Sequence, residues 1–124
     1  MKYICLAYEE ESKLNSLSKA EWEALRAETL AYVEKLRTKG VLMAAEPLQT
    51  VRTAATVRVR QNKVFITDGP FAETKETLGG YFLINVHNRE EALKVAAEWP
   101  SARFGSIEVR PIEDGLPQAA RYAQ

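Results

Sequence analysis

One short stretch concentrates the residue types that do chemistry: Thr67-Asp68-Gly69-Pro70-Phe71-Ala72-Glu73-Thr74-Lys75-Glu76, running into Leu78-Gly79-Gly80-Tyr81. Asp68 is its candidate catalytic residue. A carboxylate at a strand end, beside Gly and Pro, acts as a general acid or base where the site is partly desolvated. The same carboxylate can instead accept hydrogen bonds from backbone N–H groups in the turn, with Gly69 supplying unusual backbone angles and Pro70 stiffening it. The two roles are compatible. Phe71 reads as an anchor holding the loop in the core, or as a platform for a ligand. Glu73, Lys75 and Glu76 either contribute to a polar pocket or keep an exposed loop soluble.

Outside that stretch, strand alternation places Arg58 with Arg60, and Glu108 with Arg110, on common faces. Guanidinium groups in pairs suit a carboxylate or phosphate ligand. They are equally suited to pairing with Glu108 or Glu76 across strands or across a dimer. Gly79-Gly80 is too short for a nucleotide fingerprint and reads as a bulge or a close backbone approach at a strand entrance. His87, the only histidine, precedes Asn88 and reads as a helix-entry residue. Cys5 is the only cysteine and sits in an apolar run, so it reads as a small buried hydrophobe. One histidine and one cysteine cannot build a zinc site of the usual kind, and neither a metal nor a cofactor is expected.

With 124 residues the chain suits one domain. Seventeen basic residues balance seventeen acidic ones, so no net field favours nucleic acid or an anionic membrane, and direct binding to either is not expected. The first apolar run stops at Glu9, too short for a signal sequence, and no later run is long enough to span a bilayer. A cytoplasmic protein is the expectation.

The elements that must position these residues follow from periodicity. Tyr3 to Tyr8 is apolar on both alternating faces, a strand covered from both sides. Residues 9–15 read as a loop. Ser18 and Glu21 form a capping-box pattern, with Leu17 and Trp22 at the staple positions. Trp22, Leu25, Thr29, Val33 and Leu36 then mark one inward helical stripe, and Gly40 stands where a left-handed residue ends it. Val41 to Ala45 is a second strand. Residues 56–60 and 63–67 form a hairpin through Gln61-Asn62, and Tyr81 to Val86 is again apolar on both faces. Asn88 and Glu91 cap a second helix that Pro100 stops, and residues 106–110 form the last strand. Residues 1–112 make the domain and 113–124 a peripheral tail.

Two strand-helix-strand halves predict an α+β, ferredoxin-like βαββαβ sheet with an inserted hairpin and both helices on one face. Its other face would then be bare, although two strands carry large apolar residues there. A homodimer with facing sheets is the simplest cover.

The stretch from Thr67 to Tyr81 resembles the signature of the DGPF-type, YCII-related family. The likeness extends to Lys2-Tyr3, to Thr56-Val57-Arg58-Val59-Arg60 and to Gly105-Ser106-Ile107-Glu108-Val109-Arg110-Pro111, and so covers nearly all of the chain before the tail. The resemblance implies the dimeric α+β barrel fold. It also implies a bacterial protein of a kind often encoded beside extracytoplasmic-function sigma factors, so a sigma factor is one expected partner. Some YCII-related proteins carry a His/Asp pair in a pocket. Here the first helix has no histidine, so Asp68 carries over as the motif aspartate without a dyad. Two functional readings follow. In the first, a dimer binds a small anionic molecule near the Asp68 loop, with Arg58 and Arg110 holding the anion, Arg60, Phe71, Glu73, Lys75 and Glu108 around it, and an isomerase- or lyase-like acid/base step at Asp68. The alternative is a regulatory or interaction module that works with the sigma factor.

Overall fold

The computed structural model describes residues 1–113, so the expected tail falls, beyond Glu113, outside the described residues. Its elements are β1 (Lys2–Glu9), α1 (Glu11–Asn15), α2 (Lys19–Thr38), β2 (Leu42–Pro47), β3 (Ala55–Arg60), β4 (Lys63–Asp68), β5 (Thr77–Asn85), α3 (Arg89–Glu98) and β6 (Gly105–Pro111). Four strands form an antiparallel sheet in the order β2-β5-β1-β6. This is the ferredoxin-like order expected. The hairpin β3–β4 is a separate two-stranded sheet.

Local signals set the helix ends. The Ser18 hydroxyl accepts from the Glu21 N–H at 3.1 Å, and the Glu21 carboxylate accepts from the Ser18 N–H at 2.9 Å, closing the capping box. Gly40 ends α2 at φ +72°, a conformation that costs glycine nothing. The Asn88 side chain accepts from the Glu91 N–H at 2.9 Å and starts α3. Gln61 and Asn62, at φ 51° and 64°, make the tight turn of the hairpin.

The core lies between one sheet face and both long helices. Tyr3, Cys5, Phe82 and Ile84 point to the helix side, where Leu36, Ala92, Val95 and Trp99 meet them. Phe82 and Trp99 stack with centroids 3.9 Å apart and planes 8° from parallel, while Tyr32 packs edge-on against Trp99 and donates to the Val95 carbonyl at 2.8 Å. Burial pushes the Cys5 thiol up to about 12, so it is the inert hydrophobe expected.

Three expectations are corrected. Residues 11–15 form the short helix α1 rather than loop, supported by Lys13–Glu10 at 3.3 Å one turn apart. The α2 stripe is inward only in part: Leu25 and Leu36 are buried, whereas Trp22 at its start is 49% exposed. Phe71 anchors nothing in the core, being 80% exposed.

Candidate functional site

The N-terminal half of α2 stands away from the sheet because the floor beneath it is paved with small residues, Ala7, Ala45, Gly79 and Gly80. The C-terminal half meets larger partners, with Leu36 in the same cluster as Leu42 and Ile84. The space left under the first half is a cavity of about 880 Å³, within the range of small-molecule sites. Its walls are mainly apolar and aromatic, including Trp22, Leu25, Phe82 and Trp99, and Arg26 and Arg37 of α2 also line it.

The glutamates Glu9, Glu11 and Glu46 line this cavity, and Glu9 does so from the end of the core strand β1. Tyr3, Cys5 and Ala7 alternate onto the helix face of β1, and the next residue on that face is Glu9. Desolvation by its surroundings raises the Glu9 pKa above the ordinary carboxylate value, and the negative charge of Glu11 raises it further. Its carboxylate accepts no hydrogen bond from another described residue. Glu11 itself is engaged, accepting from the Thr50 hydroxyl at 2.9 Å and the Val51 N–H at 3.0 Å, and so ties α1 to the segment after β2.

The two glycines make room for this arrangement. The β1–β5 register slips between Ala7 and Tyr8, leaving Gly79 as the extra residue of a bulge. A Cβ on Gly79 would collide with the Glu9 carboxylate, whereas one on Gly80 would lie 2.9 Å from the Glu46 carbonyl oxygen of the neighbouring strand. The two substitutions therefore have different expected outcomes. Gly80→Ala must move backbone and is expected to destabilise by about 1–3 kcal/mol. Gly79→Ala displaces only the end of a flexible side chain, so its melting temperature stays nearer the wild-type value while the Glu9 resonance moves in a carboxylate-labelled NMR spectrum. Equal destabilisation by both, with Glu9 unmoved, would contradict this assignment.

The residues singled out from sequence are distributed elsewhere. Asp68 ends β4 opposite Ala55, is exposed, and lines neither this cavity nor a second groove of about 540 Å³ at the root of the hairpin. The turn after it is held by the backbone: the Gly69 N–H donates to the Ala54 carbonyl at 2.7 Å, and the Thr56 hydroxyl donates to the Gly69 carbonyl at 2.9 Å. Arg58 donates to the Phe71 carbonyl at 3.3 Å, and Arg60 donates to the Val59 carbonyl at 3.0 Å. Lys75 reaches Glu10 at 3.7 Å, and Glu73 is exposed.

Glu108 and Arg110 bond to each other on the sheet face away from the helices, as their alternation predicted. Arg110 lies opposite Ile4, four residues along β1 from Tyr8, which lines the hairpin groove. That is about 13 Å of strand, which the Arg110 side chain partly spans: it bonds to Glu108 and interacts electrostatically with Tyr8. His87 sits at the helix entry, its Nδ1 3.0 Å from Glu91. Glu9, Arg26 and Arg37 were missed by sequence reasoning. For Glu9 a signal existed, since the alternation 3, 5, 7 continues to 9.

The family model for the YCII-related domain matches residues 1–115. The chain belongs to the YCII-related family. This YCII-related protein is 38% identical over 114 residues to an uncharacterised protein of Rhizobium meliloti (strain 1021), spanning 90% of this chain and 92% of that one. Its structure is similar to that of 5-chloro-2-hydroxyhydroquinone dehydrochlorinase from Burkholderia phenoliruptrix AC1100, solved in complex with 2,5-dihydroxybenzoquinone. The TM-score is 0.55 and the identity 15%, over 93% of this chain and 96% of that chain. That likeness shows the fold, an α+β chain whose four-stranded antiparallel sheet has the ferredoxin-like order. Among its described residues no helix is long and apolar enough to cross a membrane.

Proposed function

We propose that this YCII-related protein is a homodimer that binds a small, planar, anionic molecule under α2, and that Glu9 moves a proton on it in an isomerase- or lyase-like step. The observation that carries this reading is the Glu9 carboxylate. It is partly desolvated, lacks a hydrogen-bond partner among the described residues, and faces an apolar cavity of about 880 Å³. A carboxylate in such surroundings is a stronger base than one in water. Trp22, half-exposed at the cavity, offers a flat surface to a planar ligand, and Arg26 and Arg37 offer charge to its anion. Glu9 takes a proton from a ligand carbon. The released electron pair then forms a carbon–carbon double bond as a leaving group departs with its own pair, or the proton returns at another carbon. The similarity in fold to a dehydrochlorinase bound to a small quinone supports the elimination form.

The test is a thermal-shift measurement with 2,5-dihydroxybenzoquinone and salicylate as probes, since a ligand held by the native state raises its melting temperature by mass action. Wild type is expected to be stabilised. Arg26→Glu, a change at an exposed position, is expected to lose that gain, and Asp68→Asn to keep it. Stabilisation that survives in Arg26→Glu but disappears in Asp68→Asn would move the site to the Asp68 loop, with Arg58 and Phe71 as its neighbours.

A further inference from the structure

The hairpin β3–β4 is the least supported part of the fold. All six residues of β4 are exposed, and among the described residues the hairpin has no packing partner of substance beyond its own two strands. A lone two-stranded ribbon is marginal in water. Its register explains what is missing: Val57 pairs with Ile66 and Val59 with Val64, so four branched apolar side chains share one face. They are between 56% and 70% exposed.

A second apolar surface lies beside it. On the sheet face away from the helices, Ile4, Leu6 and Tyr8 of β1 are only partly covered, as are Leu78, Tyr81 and Leu83 of β5. The two surfaces are continuous, because the groove at the hairpin root is lined by Tyr8 and Leu78 from the sheet and by Val57 from the hairpin.

We infer that the β3–β4 hairpin is an arm that closes over a second copy of this chain, docking its Val57, Val59, Val64 and Ile66 face on the partner while the two open sheet faces meet. This rests on the homodimer proposed above and adds the device that completes it. Area favours that occupant. Four strands of about eight residues give a sheet footprint of about 19 Å by 26 Å, roughly 500 Å² per protomer. A standard interface buries about 800 Å² per partner. The arm supplies roughly 200 Å² more, which brings the sum close to that value. On the sheet face Glu108 and Arg110 neutralise each other, and the register adds one charge of each sign, Glu46 opposite Tyr81 and Lys2 in line with Ile4. Under a two-fold operation each arm covers the other protomer, so neither ribbon is left in water.

The full-length chain is tested by sedimentation velocity from 1 to 100 μM (an order-of-magnitude range for weak and tight dimers alike). Wild type is expected to be dimeric, and Val64→Lys/Ile66→Lys to weaken the dimer at least about tenfold, with an unchanged far-UV spectrum because both positions are exposed in the protomer. In parallel, a photo-cross-linking amino acid at position 66 in a mixture of ¹⁴N- and ¹⁵N-labelled chains is expected to give mixed-isotope cross-linked peptides. A dimeric wild type with an unweakened double variant, or with cross-links only within one chain, overturns the arm and leaves the dimer standing. A monomeric wild type overturns both. The cross-link decides if the double variant does not fold.

Discussion

Glu9→Gln is expected to slow proton transfer to or from a ligand under α2 by about 10²–10⁴-fold while leaving ligand binding intact or tighter. The two readouts separate because they depend on different properties of one side chain. Proton transfer needs a titrating oxygen, which glutamine lacks. Binding of an anion is opposed by the Glu9 charge, which glutamine removes at nearly constant volume. Deuterium incorporation from solvent at a carbon of bound 2,5-dihydroxybenzoquinone, followed by NMR, measures the first, and the thermal shift measures the second. In wild type the exchange rate is expected to rise with pH through an inflection above the ordinary carboxylate range, because desolvation and Glu11 hold the Glu9 pKa up. The inflection should be absent in the variant. Unchanged exchange in Glu9→Gln would remove Glu9 from the chemistry.

The same substitution has an expected effect on stability of opposite sign. A carboxylate whose folded-state pKa is raised binds its proton more tightly in the folded chain than in the unfolded one. Its favourable contribution is present below the ordinary value of 4.5 and is lost as pH rises through the raised pKa. Above that window wild type carries an ionised, partly desolvated group that the variant does not. Glu9→Gln should therefore melt higher than wild type at a pH above the raised pKa, with the difference closing as pH falls below the ordinary value of 4.5. A gain in stability bought with a loss of activity is the pattern expected at a working site.

Phe82→Ala is expected to be the most damaging single core substitution, at about 3–5 kcal/mol. Phe82 is fully buried, stacks on Trp99 at 3.9 Å, and sits on β5 between β1 and β2. Its ring is both the contact that fixes Trp99 and part of the cavity wall, so truncation opens the core into the space above it. The loss is a large share of the roughly 5–15 kcal/mol that holds a domain of this size. Urea unfolding followed by Trp fluorescence measures it, and a cost under about 1 kcal/mol would mean that neither the stack nor the burial of this ring holds the fold.

Much of the fold was legible because its signals are local. A capping box spans four residues, a left-handed glycine one, and strand alternation two. The Ser18, Gly40 and Asn88 boundaries, the Gln61-Asn62 turn and the ferredoxin-like order all rest on such short-range chemistry or on short-range periodicity. Length decided where this worked less well. The segment 11–15 is a single helical turn and a half, too short to show a period, and its helix depends on Glu11 reaching Thr50 and Val51 far along the chain.

The candidate site was much less legible, and the reason is that desolvation is not a property of a residue type. The Asp68 stretch stands out in sequence because turn residues and charges cluster there, yet its aspartate is exposed. Glu9 looks like the polar end of an apolar run and becomes a cavity carboxylate only because small residues on two other strands hold the floor away from α2. By itself the sequence determined the family, the element order and the helix ends, since each depends on neighbours within a few residues. Only the tertiary structure decided that Glu9 is partly desolvated, that Trp22 borders a cavity rather than filling the core, and that all six residues of β4 are exposed. Each of those depends on distances between segments dozens of residues apart.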